Sequence, residues 1–294
     1  MNLTWTTSIS AGALHAARAL SLGQSPVDLA LAGRLRVAAE AVAAAVAATG
    51  LPAKAVWRHL FPLAASLSSA DHSTADSAKA YCAVAARAME CLELRATGPM
   101  VDSLGVALAD FEAAYVAALP HAASEMPLRI EPLRSQWEAR GPGLLWGVRR
   151  MTSVDWLVPA ATIVLVPPLL GGAGQAHPAY NFVTFEALLA NPIARLPEVL
   201  RLGWLLAQLN PALALGELEG RAAAWGLLPV VLAAAEEVEL AHADRADFDL
   251  AAVAWLNFPS RADTVWQWWG SHLQGQHDWR TGLAELARLL AKDD

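Results

Sequence analysis

Two residues near the middle of the chain, His177 and Glu186, have side chains suited to general acid–base chemistry. A histidine can accept or donate a proton near neutral pH, and a nearby carboxylate can orient it. If the chain has a small-molecule pocket, we expect it here, with these two residues in the catalytic roles. Binding contacts would come from four further polar residues: Tyr180, Asn181, Arg201 and Glu236. The alternative is that all of them are ordinary loop and rim residues.

A glycine-rich loop, GGAG at 171–174, precedes this group. The backbone amides of such a loop can bind phosphate where the loop leads directly into a helix. Here Gln175 and His177 follow instead, and the Gly-Lys-Ser/Thr ending of a nucleotide-binding loop is absent. We therefore expect a tight turn beside a strand. A pocket beside this loop is the basis of the enzyme alternative.

A second set of potential metal ligands has a spacing of three residues: Glu236, Glu239 and His242. On one helix face, Glu-x-x-His is half of the motif that carboxylate-bridged di-iron bundles use. Those sites need a second copy, and none of the other seven histidines has a glutamate three residues before it. The pattern therefore indicates a solvated helix edge, and no metal is expected.

The helix that follows the glycine loop, LPEVLRLGWLLAQLN, is apolar along one side. The order of strand, glycine loop, second short strand and apolar helix is similar to the zincin metallopeptidases over roughly residues 160–245. In that family the helix carries H-E-x-x-H, whose histidines bind zinc and whose glutamate activates water. This chain has Gly203, Trp204 and Ala207 at the matching positions.

The resemblance implies a degenerate, zinc-free peptidase-like domain. By order alone, Glu236 or Glu237 on a later helix would match the family's third zinc ligand. A simpler account of the first helix needs no ancestry, because its apolar residues recur at helical spacing and form a core face. These residues are Val199, Leu202, Leu205, Leu206 and Leu209.

The element pattern predicts a mainly α (α+β) fold. Residues 1–120 are Ala-rich and predict a helical bundle, including a helix that starts at Ser25 and ends at Gly50. We expect a Pro-containing connector at 120–135, and a second, helical region over 121–294 with a small sheet around residues 160–186. Packing of both regions as one domain is equally compatible with the pattern. Later helix starts are expected near Pro197 and Leu228.

Composition excludes some functions. Hydrophobic residues make up 55 % of the 294 residues and charged residues 17 %, while the net charge is −7. That balance argues against a nucleic-acid partner, because phosphate affinity comes from clustered Lys and Arg. No apolar stretch reaches the roughly 20 residues of a membrane span, and no secretory signal is recognisable, so we expect a cytoplasmic protein.

Twelve tryptophans complete the pattern, and seven of them lie between Trp204 and Trp279. Buried core anchors are the default for indole rings, whereas an exposed one would mark a partner surface. We favour burial for these rings as a group, and Trp268 is the first candidate for an exposed, partner-binding tryptophan. The first hypothesis is a non-catalytic interaction or scaffold protein without a cofactor; the alternatives are a small-molecule enzyme beside the glycine loop and a peripheral membrane protein.

Overall fold

A four-stranded mixed sheet lies between two layers of helices. The computed structural model describes residues 1–65, 74–93, 97–153, 155–188, 190–214, 217–256, 259–275 and 278–292. Within them the fold is mainly helical with one small sheet, which confirms the predicted fold class. The strands are β1 (Asn2–Thr7), β2 (Ala160–Val166), β3 (Gly174–His177) and β4 (Phe182–Glu186).

The helices of the first layer come first in the chain. They are α1 (Ile9–Ser21), α2 (Leu29–Ala47), α3 (Ala53–Ala65), α4 (Thr74–Cys91) and α5 (Gly98–Ala118). The second layer contains α6 (Ala122–Met151), α7 (Glu198–Ala207), α8 (Glu217–Glu237), α9 (Arg245–Ala251), α10 (Ala262–Leu273) and α11 (Trp279–Lys292). A single π-helical turn, Ala252–Leu256, directly follows α9.

The sheet has the strand order β1-β2-β4-β3. β1 and β4 each pair with β2 in parallel, and β3 pairs with β4 in antiparallel. Parallel neighbours end at the same edge of a sheet, so the loop after β2 and the last residue of β4 lie side by side. Ligand sites of parallel sheets usually form at this carboxyl edge.

Alternate residues of the central strand enter two different hydrophobic cores. Ile163 and Leu165 pack with α6–α11, whereas Val164 and Val166 pack with α1–α5. This follows from the two-residue period of a strand, which sends successive side chains to opposite faces. The charge-free sequence ATIVLV is therefore buried on both sides. The sheet takes strands from both sides of the boundary predicted at residue 120.

The sequence predicted the two central strands but neither edge strand. β2 and β4 match the predicted stretches at 161–166 and 182–185. β1 lies in a segment predicted as part of the helical array, and β3 in a segment predicted as a loop. β1 has six residues and β3 has four, and each lies at an edge of the sheet, where it pairs with one neighbouring strand.

Helix boundaries differ from prediction where proline was the guide. The connector expected at 120–135 is wrong, because α6 runs through Pro127, Pro132 and Pro142. Its buried residues, among them Met126 and Trp137, pack into the second core, and that burial offsets the hydrogen bonds lost at each proline. α8 likewise begins at Glu217 rather than near Leu228.

The helix predicted from Ser25 begins one turn later. Asp28 is its N-cap, and the Asp28 carboxylate accepts a hydrogen bond from the Leu31 amide at 2.8 Å. Gly50, just beyond the end of α2, has a φ of +71°, the left-handed conformation predicted for it.

Among the described residues, no single helix has both the length and the apolar character needed to cross a membrane. The pair Gly98–Ala118 and Ala122–Met151 meets that test only when taken together, and it bends by 77° at its break.

Candidate functional site

The carboxylate of Glu186, at the end of β4, is enclosed by the glycine loop that follows β2. One oxygen, Oε1, accepts from the amides of Leu169 and Leu170 at 3.0 and 2.8 Å. The other, Oε2, accepts from Gly172 and Ala173 at 2.7 and 3.0 Å. The loop amides thus form an oxyanion cradle of the kind that binds phosphate, but its occupant is a side chain of the protein itself.

Two consecutive glycines make this loop geometry possible. Gly171 and Gly172 have φ values of +79° and +112°, a region that residues with a Cβ rarely adopt. Space is limited as well, since a Cβ on Gly172 would lie 2.7 Å from Nη1 of Arg201 and 2.9 Å from Leu188. The loop lies beside the strand as predicted, and its amides bond to the Glu186 side chain.

The fifth hydrogen bond to Glu186 comes from His15 on α1. The Nε2–H of His15 donates to Oε1 at 2.8 Å, and both side chains are buried. Ser8 caps the start of α1 by accepting from the Ala11 amide at 3.0 Å. The small residues around His15 on that helix let it approach the sheet closely. This contact joins residues 171 positions apart.

These bonds decide the charge of Glu186. Burial alone would raise the pKa of its carboxyl, but the His15 bond and the loop amides outweigh burial and lower the pKa to about 2. Glu186 is therefore ionised at neutral pH. Because five donors occupy its two oxygens, no lone pair is left for a substrate proton or a metal. In this arrangement Glu186 anchors the loop.

His177, the other predicted catalytic residue, has different partners. Its Nε2 lies 3.1 Å from the Thr184 hydroxyl, and its ring stacks on Phe61 and Phe182 with centroid distances of 5.0 and 4.3 Å. Burial first, and then the charges of Arg18 and His15, hold the pKa of His177 well below its ordinary value. His177 is thus a neutral core histidine, and no hydrogen bond links it to Glu186.

The predicted binding residues are widely separated. Tyr180 and Glu236 are exposed, and Asn181, in the left-handed conformation, donates from Nδ2 to the Ala160 carbonyl at 2.7 Å. The suggestion that Trp268 is exposed is wrong. Its side chain is 4 % exposed and donates to the Gly282 carbonyl at 2.9 Å, because its face of α10 packs against α11.

Arg201 is the one predicted binding residue that lies beside Glu186. Its Nη2 donates to the Glu186 carbonyl oxygen at 3.2 Å and also to the carboxylate of Glu198. Its guanidinium lies over the Phe185 ring at 4.0 Å from the centroid. Nε of Arg201 is buried and has no hydrogen-bond partner among the residues that the structure describes. Burial lowers the pKa of Arg201, and the carboxylates of Glu198 and Glu186 oppose that effect.

A cavity of about 160 Å³ opens beside these groups at the carboxyl edge of the sheet. α1 contributes His15 and Arg18 to its lining, and the glycine loop contributes residues 172–174. On the opposite side lie Trp204 of α7 and Trp255 of the π-helical turn, with ring centroids 5.6 Å apart. Neither His177 nor Glu186 lines it. π-helical turns inside helical segments often occur at functional sites.

Arg18 is the unexpected member of this cavity. Its Nη1 donates to the Oε1 of Gln175 on β3. Within the described part of the chain it makes no ion pair with a carboxylate. Burial lowers the pKa of Arg18 to about 10, so the guanidinium stays charged at neutral pH. The sequence offered one overlooked signal: His15 and Arg18 are three residues apart and share a helix face.

The α7 positions that match the zincin motif are packed. A Cβ on Gly203 would lie 2.4 Å from Leu144, and Ala207 is fully buried. Trp204 donates from Nε1 to the Ala224 carbonyl at 2.8 Å. Glu236, by contrast, is exposed. The resemblance to the zincins stays a prediction.

The described residues contain no group of three or more His, Cys, Asp or Glu side chains placed to hold a metal ion. Glu236, Glu239 and His242 do not share a helix face as expected, because α8 ends at Glu237 and Glu239 has a φ of +57°. Comparisons of the chain with protein-family models, with curated proteins and with solved structures find no match.

Proposed function

We propose that this protein binds a small organic anion, without catalysing its conversion, in the cavity between α1, α7 and the glycine loop. The observation that carries the proposal is Arg18, a largely buried guanidinium that lines the cavity and has no carboxylate partner in the described residues. A buried charge without a counter-ion is costly, and a bound carboxylate or phosphate would supply that counter-ion.

The second guanidinium supports the same ligand charge. Arg201 also lines the cavity, and it is therefore a second cationic group within reach of a bound anion. Arginine is suited to carboxylate and phosphate recognition because its planar fork donates several hydrogen bonds. Gln24 and Gln175 add neutral polar groups to the lining.

The remaining walls indicate the size and shape of the ligand. Trp204 and Trp255 offer apolar indole surface, against which a flat ring can pack. An apolar cavity of about 150 Å³ accepts benzene, and this cavity is of similar volume at about 160 Å³. The ligand is therefore a small anion with a compact apolar body, of the size of benzoate.

The bonding of the acid–base candidates supports a non-catalytic role. Glu186 has all its lone pairs engaged, and His177 is stacked in the first core. His15 lines the cavity, but its Nε2 is committed to Glu186. The non-catalytic part of the sequence-based hypothesis is kept, and the pocket beside the glycine loop becomes a binding pocket.

The test is calorimetric titration of the purified protein with benzoate, phenyl phosphate and benzamide. We expect at least one of the two anions to bind, and benzamide, the neutral analogue of benzoate, to bind at least ten-fold more weakly. Arg18→Gln should weaken anion binding by about 1.5–3 kcal/mol, the usual worth of a hydrogen bond to a charged group.

The matched control is Arg36→Gln, since Arg36 is an exposed helix arginine that pairs with Glu40 four residues on. This variant should bind the anions as the wild type does. Equal affinity for benzoate and benzamide, or no detectable binding of either anion at millimolar concentration, would overturn the proposal. Circular dichroism of each variant checks that the fold is intact.

A further inference from the structure

The two partners of the Glu198–Arg201 ion pair line different cavities. Arg201 lines the anion cavity, and Glu198 lines a second cavity of about 280 Å³. Phe185, whose ring lies under the Arg201 guanidinium, also lines the second cavity. Glu198 therefore borders free volume that Arg201 does not line.

The two partners differ in freedom to move. The side chain of Arg201 is 4 % exposed and is held by the Glu186 carbonyl and the Phe185 ring. The side chain of Glu198 is 18 % exposed, stands at the first residue of α7, and has Arg201 as its only hydrogen-bonding partner among the described residues. Glu198 is therefore the side chain of this ion pair that can move away from the other.

The second cavity contains a cationic side chain with which a displaced Glu198 carboxylate can pair, and we call this side chain the receiver. Arg129 of α6 lines it, and that side chain is 13 % exposed. Its guanidinium donates to the Ala187 carbonyl at 2.8 Å and to Glu125 at 3.4 Å. The charged groups acting on Glu198 are Arg201 on its own helix and Glu186 on β4, and Arg129 on α6 lines the same cavity as Glu198.

We infer that Glu198 is a built-in competitor for the anion site: an incoming anion takes over Arg201, and the Glu198 carboxylate turns into the second cavity toward Arg129. This inference rests on the proposed anion-binding function. Burial raises the pKa of Glu198 even beside Arg201, which means that its charge is poorly stabilised in the resting pair. When the incoming anion replaces Glu198 at Arg201, the guanidinium has a counter-ion both before and after the exchange.

The direct test is calorimetric titration of Glu198→Gln with benzoate and phenyl phosphate. The amide has the size of the carboxylate but no charge to compete, so anion affinity should rise on the order of ten-fold. The matched control is Glu90→Gln, because Glu90 forms an exposed pair with Arg87 at the same three-residue spacing. Its affinity should equal that of the wild type.

A double-mutant cycle tests the receiver. Arg129→Gln should weaken anion binding about three-fold or more in the wild-type background, because the displaced carboxylate loses its partner, and should have no effect in the Glu198→Gln background. If Glu198→Gln proves unfolded by circular dichroism, Glu198→Ala takes its place in the cycle.

The outcomes separate the two claims. Anion binding of equal strength in the wild type and Glu198→Gln would overturn the competitor role and leave the anion site intact. Absence of anion binding in the wild type and in both Glu198 variants would overturn the anion site itself. An equal effect of Arg129→Gln in both backgrounds would remove Arg129 as the receiver.

Discussion

The two faces of the sheet bury different kinds of side chain. On the face covered by α1, β3 and β4 present Gln175, His177, Thr184 and Glu186, which hydrogen-bond to one another or to α1. The opposite face, covered by α6, α7 and α8, is packed with Val, Leu, Phe and Trp residues. Buried polar groups cost stability unless each has a hydrogen-bond partner. The side chains on the α1 face therefore have to keep the defined positions that these hydrogen bonds require.

This contrast shows that the residues that drew attention to α7 are not part of the buried polar network, although Arg201 of the same helix is. α7 is the helix singled out by the predicted zincin resemblance, yet the residues at the motif positions pack in the apolar core. α1, which sequence analysis left inside an Ala-rich array, supplies His15 and Arg18. Function on this scaffold is better sought where α1 meets the glycine loop.

The difference between the two faces would be contradicted if Glu186 could be neutralised without a loss of folding stability. Glu186→Gln would direct an NH₂ group at some of the five donors that now surround the carboxylate. We expect the free energy of unfolding to fall by about 3–5 kcal/mol, the cost of disrupting a buried charged network. Urea denaturation followed by circular dichroism measures it; Glu90→Gln, on the surface, should change it by less than about 0.5 kcal/mol.

The pH dependence of folding stability also tests the role of the ionised Glu186 carboxylate. The pKa of Glu186 is about 2 in the folded chain against 4.5 for the free group. A lowered folded-state pKa stabilises the fold above pH 4.5, and that contribution is lost as the pH falls from about 4.5 to 2. It amounts to roughly 3 kcal/mol at 1.36 kcal/mol per unit. Urea denaturation at a series of pH values should show this loss in the wild type; a parallel curve for Glu186→Gln would contradict it.

Gly172→Ala perturbs the α1 face through its loop. At a φ of +112° and with Arg201 2.7 Å from the new Cβ, alanine should cost about 2–3 kcal/mol of unfolding free energy and should weaken benzoate binding. Gly33→Ala is the matched control, because Gly33 lies exposed in α2 with open space around it. There, alanine should stabilise by up to about 1 kcal/mol. Equal melting temperatures for the two variants would refute the expectation.

Gly203→Ala probes the opposite face and has the smallest expected effect. In the packed arrangement the new methyl group meets Leu144 at 2.4 Å, which costs about 1–3 kcal/mol by overpacking, partly offset by the helix preference of alanine. A net loss of about 1 kcal/mol in thermal or urea unfolding is expected. A gain in stability would mean that α7 faces an open cleft at this residue, as a peptidase helix does.

Much of the fold could be predicted because its signals are local. The charge-free run at 160–166 and the left-handed Gly50 depend on neighbours in sequence, whereas the helix start expected at Ser25 lies one turn later, at the Asp28 cap. β3 could not be predicted because its four residues contain no β-branched or aromatic side chain, and β1, with six residues, was not distinguished from the Ala-rich segment that follows it. Nor could α6 be predicted, because tertiary packing there outweighs three prolines.

The same distinction applies to the candidate site: residues close together in the sequence were predicted, and residues far apart were missed. Sequence analysis singled out the glycine loop, Glu186 and Arg201, which lie within about thirty residues of one another. It missed His15 and Arg18, whose partners Glu186 and Gln175 are 171 and 157 positions away. Nothing in the local pattern of α1 indicates which strand it will cover.

The position of β1 has a consequence for synthesis of the chain. A ribosome produces β1 and α1–α5 long before β2 and β4, yet the core of these helices is completed by Val164, Val166 and Phe182. Until those strands emerge, the nascent layer exposes an unfinished apolar surface and an unpaired first strand. The core of the first layer is therefore completed only after β2 and β4 have been synthesised.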